Sequence, residues 1–299
     1  MASTTAPRTG PRLYRPRVSW RQRVSQVWTW LFMASTALAI VLLGMLLVSI
    51  LRPGLPWLSW HLITDMPSRI PEQAGMNSAI WGSLWVVLGS GIVSFILGLG
   101  TAIYLEEYAE KNRWTNLIQT NISNLAGVPS IVYGLLGLVV FVNGLQMGRS
   151  LIAGILTMAL LVLPVVVISS REAIRAVPPS LREAAYGVGA TKWQTVKDHV
   201  LPAAFPGILT GMILSMSRAI GETAPLLVVG GASQVLFRPD TLTDPFMVMP
   251  LQIFNWTGRP QEAFEHLAAA AIIVLLIVLL LMNSIAIVLR QHFTKKARW

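Results

Sequence analysis

From Leu267 to Leu289 the chain runs for twenty-three residues without a charged side chain, and fifteen of them are Leu, Ile or Val. About 20 apolar residues cross the hydrocarbon core of a bilayer as a helix, so a run of this kind belongs in lipid or in a very large core. The pattern recurs. Further spans are predicted from Trp28 to Leu51, Asn77 to Leu105, Leu117 to Val142, Ser150 to Ser170 and Ala203 to Gly231, which makes six. A mean hydropathy of +0.61 with only 12% charged residues excludes a soluble fold for a chain of this length. The net charge of +10 does not point to nucleic acid, because the basic residues lie between apolar runs and not on one face beside stacking aromatics. The chain has no cysteine, which removes disulfides and thiolate metal sites. No two of His61, His199, His266 and His292 have ligand spacing on one helix.

Lys and Arg accumulate on the cytoplasmic side of a membrane protein, and their distribution sets the orientation. With the amino terminus inside, Arg8, Arg12, Arg15, Arg17, Arg21, Arg23, Lys111, Arg113, Arg171, Arg175, Arg182, Lys192, Lys197, Arg290, Lys295, Lys296 and Arg298 all fall inside. Only Arg52, Arg69, Arg149, Arg238 and Arg259 fall outside. Both termini are therefore expected in the cytoplasm. The first run is too long for a signal peptide, whose apolar region covers about 7–15 residues, and reads as an uncleaved anchor. Residues 1–27 are too polar to fold alone and are expected as a disordered basic tail. The anchor and an outside loop fill 28–72, a membrane core fills 73–290, and 291–299 form a second basic tail. The outside segment 232–266, apolar from Phe246 to Phe254, is expected as a gate or docking surface.

The inside loop at 177–207 carries dense helix punctuation and reads as two short helices. Pro178 and Pro179 precede Ser180, and Glu183 three residues on completes a capping box, which starts the first helix at Leu181. Gly187 and Gly189 end it. Thr191 and Gln194 form a second box, and Pro202 is expected to close the second helix. Ala184 and Ala185 leave a helix face open to close approach. The order Glu183-Ala184-Ala185, Gly189 and Leu201-Pro202 resembles the EAA loop of ABC importer permeases, with His199 where the family carries an apolar residue. That resemblance implies docking of the first helix in a groove of a cytoplasmic ATPase, through Leu181, Glu183, Ala184, Ala185, Gly189, Leu201 and Pro202. An ATPase has to be a separate chain if it uses the usual phosphate-cradling loop, because no Gly-Lys dipeptide occurs here.

The fifth span holds Arg218 and Glu222, each costing roughly 2.5 to 3.5 kcal/mol at mid-membrane, and its apolar residues do not offset that in lipid. At about 100° per residue Gly207, Gly211, Ser215, Arg218 and Glu222 share one stripe. The small residues invite helix packing, and the stripe leads to an i, i+4 ion pair. Two readings stand at that pair: a structural bridge between helices, or part of an anion pathway in which the planar Arg fork addresses a tetrahedral oxyanion.

Residues 217–226, SRAIGETAPL, look like the signature of phosphate importer permeases, with the Ala-Pro-Leu ending of the PstA group. Residues 126–135, AGVPSIVYGL, and 77–82, NSAIWG, resemble the same group. This resemblance implies an all-α, polytopic type I ABC importer permease of the MetI-like fold. It also implies a role for Arg218 in phosphate transport. The implied partners are a PstC-like sister permease, a PstB-like ATPase dimer that uses ATP and Mg, and a PstS-like external phosphate-binding protein. No cofactor is expected on this chain. The alternatives are a secondary transporter or channel for an inorganic anion, or an ABC permease for sulfate or molybdate.

Overall fold

The computed structural model describes residues 18–110, 112–230 and 235–296, and among them every regular element is helical. Residues 1–17, most of the expected tail, lie outside the described residues, as do Lys111 and 297–299. The chain divides into two units, Met1–Ser49 and Ile50–Trp299. The first unit is helix α1 (Val18–Gly54) up to Ser49. This helix begins ten residues before the expected anchor, so 18–27 are helical and not tail. Helix formers such as Gln22 and Arg23 extend an apolar helix into polar surroundings at little cost.

The second unit contains α2 (Trp60–Thr64), α3 (Asn77–Ile103), α4 (Arg113–Ala126), α5 (Ser130–Gly137), α6 (Leu151–Arg175), α7 (Pro179–Gly187), α8 (Lys192–Gln194), α9 (Leu201–Gly221), α10 (Ala224–Gly230), α11 (Met249–Thr257) and α12 (Glu262–Lys296). Wider, i→i+5 turns prolong α3 to Tyr108 and α5 to Gly144, and join α8 to α9 through Thr195–Val200. Among the described residues, five stretches are long and apolar enough to cross a membrane: Gln22–Trp57, Asn77–Tyr108, Leu151–Arg175, Lys192–Gly221 and Glu262–His292. Of the apolar window in α6, 67% is buried, against 12% in α12, so α6 is the central helix and α12 the outer one. The expected tail at 291–299 is likewise helical as far as Lys296.

The third predicted span, Leu117–Val142, is not one helix: α4 and the α5 segment meet at 103°. Seven of the fourteen residues of α4 are Asn, Gln, Ser or Thr, which suits a helix end far better than a lipid span. Pro129 then lacks the N–H that would continue the helix. The bend is held by hydrogen bonds. Gly127 and Val128 donate to the carbonyls of Asn124 and Leu125 at 3.0 and 3.1 Å, and the Tyr133 hydroxyl donates to Leu125 O at 2.8 Å. The 126–135 motif thus encodes a corner.

The apolar segment expected as a surface at 246–254 lies in the core instead. Phe246, Met247, Val248, Met249 and Leu251 are all 2% exposed or less, and only Phe254 stands out among them. Ser83 of α3 draws the segment in, its Oγ accepting from Met249 N at 2.8 Å, while Ser78 Oγ holds the chain further upstream by donating to Val235 O at 3.1 Å. These bonds satisfy backbone groups that would otherwise be buried without partners.

Candidate functional site

The fifth predicted span ends early. Helix α9 stops at Gly221, Glu222 is extended (φ −75°, ψ 120°), and the chain restarts as α10. Glu222 therefore lies just past the helix, at a break within the predicted Ala203–Gly231 span. Its carboxylate still accepts from Arg218 Nε at 3.1 Å. The Glu222 side chain is 16% exposed and that of Arg218 is 54% exposed, on a face shared with Leu214 and Gly221. Gly207 and Gly211 turn the adjacent face to α6, since a β-carbon at Gly211 would lie 2.1 Å from Ser169 Oγ and one at Gly207 would lie 2.8 Å from Ala173 Cβ, and Ser215 is buried, its hydroxyl donating to Gly211 O. The stripe and the ion pair thus serve neighbouring faces of one helix.

The break after α9 meets the corner before α5. A β-carbon on Gly134 would lie 2.7 Å from Pro225 Cα, so the two irregular motifs pack backbone to backbone. Irregular backbone at membrane depth is tolerated where protein covers it or a polar path runs past it, and paired broken helices are a common way to build a transport site.

At the other end, α7 starts at Pro179, with Pro178 as cap and no side-chain cap bond, so the Ser180–Glu183 box is not formed. Proline at the first helical position needs no N–H partner and has its φ set in advance. The Thr191–Gln194 box is formed, with Thr191 N donating to Gln194 Oε1 at 2.8 Å. Pro202 does not end that helix. The widened turn at Thr195–Val200 gives its ring room, and the helix continues into α9.

Of the residues expected at the docking surface, Glu183, Ala184, Gly189 and Pro202 are exposed, whereas Ala185 is buried. Leu181 and Leu201 pack inward on Ile174, Val177, Val200 and Ala204. Those three hold the loop in place and do not present it. Tyr186, Val188 and Trp193, at 45%, 85% and 56% exposure, supply apolar surface instead. Gly189 has φ +84°, the left-handed region that favours glycine, and turns the chain between the two helices.

A cluster of ion pairs, not anticipated from the sequence, fastens this loop. Glu106 accepts from Arg171 and Arg175, each at 2.8 Å, and Glu107 accepts from Arg182 at 2.7 Å. Arg182 also donates to Ile174 O in the last turn of α6 at 3.0 Å and to Val177 O just past it at 2.8 Å. Two acids at the carboxyl end of an apolar helix oppose its dipole by about 0.3–1 kcal/mol each, which was the available sign that they have partners elsewhere.

A bundle of apolar helices with a broken span, a helix that stops at an ion pair and a polar loop held by arginines defines a polytopic membrane transport permease. Residues 94–299 match the family of binding-protein-dependent transport system inner membrane components. The PstA phosphate transport permease of Yersinia pestis is 33% identical over 94% of both chains. The PstA 1 permease of Mycobacterium tuberculosis is 34% identical over 85% of this chain and 84% of its own. YqgI of Bacillus subtilis, a probable ABC transporter permease, is 35% identical over 75% of this chain and 76% of its own. The fold is similar to that of a bacterial alginate ABC transporter (TM-score 0.64, 18% identity, 89% of this chain and 94% of that one). It is also similar to the MetNI methionine transporter in an inward-facing form (TM-score 0.59, 16% identity, 72% and 94%). The chain belongs to the binding-protein-dependent inner membrane component family, in its PstA-like branch.

Proposed function

We propose that this chain is a permease subunit of an ATP-driven phosphate importer. It forms the pathway with a PstC-like sister permease, receives phosphate from an external binding protein, and is powered by an ATPase dimer that uses ATP and Mg. The observation that carries the reading is the division of the α7 loop. Leu181, Ala185 and Arg182 anchor it inward, while Glu183, Ala184, Tyr186, Val188 and Trp193 offer a mixed apolar and acidic surface. A helix presenting such a face suits a groove on a partner. Similarity to PstA permeases over most of their length supports phosphate as the cargo. The Lys and Arg distribution supports a cytoplasmic position for both termini and for the α7 loop.

Closure of the ATPase dimer pulls α7, and the bundle alternates between inward and outward access. Arg218 adds favourable electrostatics along the path without tight binding, since an ion held too well does not leave. The test is purification of the tagged chain from its native membrane in mild detergent, with every co-purifying polypeptide identified. A P-loop ATPase and a second permease are expected, with less ATPase recovered for Glu183→Lys. Uptake of labelled phosphate against sulfate and molybdate competitors then assigns the anion. Recovery of the chain alone, still transporting, would replace this reading with a secondary transporter.

A further inference from the structure

Glu106 and Glu107 are adjacent in sequence, yet they reach different elements. Glu106 holds Arg171 and Arg175 on α6, and Glu107 holds Arg182 on α7. The contacts are largely shielded: the side chains of Glu106, Glu107, Arg171 and Arg182 are 14%, 7%, 9% and 21% exposed. Arg182 is the node, because one guanidinium bonds Glu107 of the α3 extension and the Ile174 and Val177 carbonyls in and just past the last turn of α6. The other arms of α7, Leu181 and Ala185, make only apolar contacts, which slide at small cost. A forked, charge-assisted contact does not slide.

We propose that Arg182 and Glu107 are positioning residues of the transport cycle, passing displacement of α7 to α3 and α6 together. Glu106 completes the link by tying α3 to α6 directly. In this arrangement α7 moves the central helix pair as one body and does not bend at the loop. The proposal rests on the reading that an ATPase docks on α7, and it adds the route by which that docking acts on the spans.

The experiment uses the whole importer reconstituted in vesicles, with ATP hydrolysis and phosphate uptake measured on the same preparation. For Arg182→Lys, which keeps the charge but loses the fork, and for Glu107→Gln, the ATPase still co-purifies and still hydrolyses ATP. The ATP consumed per phosphate imported rises by about tenfold. Because the chain has no native cysteine, Glu107→Cys with Arg182→Cys places the only two thiols of this subunit at the contact and gives a second test. Joining the two thiols with a short cross-linker restores coupling, and reducing or omitting it does not. The proposal is overturned if uptake and hydrolysis fall in equal proportion, or if the cross-linked pair is as uncoupled as the open one. Absence of any ATPase from the wild-type preparation would instead overturn the docking reading itself.

Discussion

Gly82 of α3 lies so close to the segment before α11 that a β-carbon added to it would sit 2.0 Å from the carbonyl oxygen of Met247. The obstacle is backbone, held on one side by the Ser83–Met249 bond, so it has little freedom to retreat. Gly82→Ala is expected to destabilise the bundle by about 1–3 kcal/mol, the usual range for overpacking. Thermal unfolding in detergent, followed by tryptophan emission, measures this, and an unchanged midpoint would show that the 246–249 segment yields.

A similar contact joins α9 to α6. Gly211→Ala would place its methyl 2.1 Å from Ser169 Oγ and 2.3 Å from Ser169 Cβ. Here the obstacle is a side chain, and removing it should help. Gly211→Ala alone is expected to cost about 1–3 kcal/mol, and Ser169→Gly in the same chain to return part of that despite its own helix penalty. A double-mutant cycle on unfolding midpoints reads the coupling, which for touching residues falls at about 0.5–3 kcal/mol. Additive losses would mean that α9 and α6 do not approach through Gly211.

What the sequence disclosed follows the range of the interactions involved. Long apolar runs located α1, α3, α6, α9 and α12, because that signal is local and repeats over many residues. The Thr191–Gln194 cap was also legible, since it needs four consecutive residues. The corner at Pro129 was masked by the apolar α5 residues that follow it, although the amide-rich α4 carried the warning. The break at Glu222 was hidden because an i, i+4 pair reads as helix, yet the same contact survives across a helix end. Least legible was the Glu107–Arg182 bond, 75 residues apart, because only the tertiary packing of α3 and α6 brings the two together.

Asp244 offers a pH test at the opposite end of the bundle from α7. Its carboxylate accepts from Thr241 N at 2.8 Å, from Thr241 Oγ1 at 2.7 Å and from Asp240 N at 2.9 Å, and these bonds hold its pKa below the ordinary carboxylate value. The same turn presents the Leu242 and Asp244 carbonyls to the first N–H groups of α6. A lowered folded pKa contributes order above the unfolded value, about 3.9, and loses it as pH falls through the folded value. Hydrogen exchange at Leu151 and Ile152, corrected for its intrinsic pH dependence, should therefore be flat at neutral and mildly acid pH and rise only in stronger acid. Asp244→Ala should raise it at neutral and mildly acid pH and converge with the parent in strong acid, and protection that declines already near neutrality would point to another group.

The Arg218–Glu222 pair separates its two readings through a difference in what each residue is asked to do. Among the described residues the Arg218 guanidinium makes one hydrogen bond, from Nε to Glu222, and just over half of the side chain remains exposed. If the pair is a structural bridge, Arg218→Ala and Glu222→Gln remove the same interaction, so each lowers the unfolding midpoint, both reduce uptake alike, and the double variant is no worse than either. If the guanidinium addresses the anion, the roles diverge. Arg218→Ala then abolishes uptake while stability stays within about 0.5 kcal/mol, as for a residue outside the packed core. Arg218→Lys keeps the charge but loses the planar fork, and uptake falls without a change in fold. Glu222→Gln frees the fork from its competitor, so phosphate is held longer and the maximal rate drops while the apparent affinity rises. We expect the second pattern, because a bridge needed only for packing would be more deeply buried on both sides than this one. Equal effects of Arg218→Ala and Glu222→Gln on both the midpoint and uptake would return the pair to the structural reading.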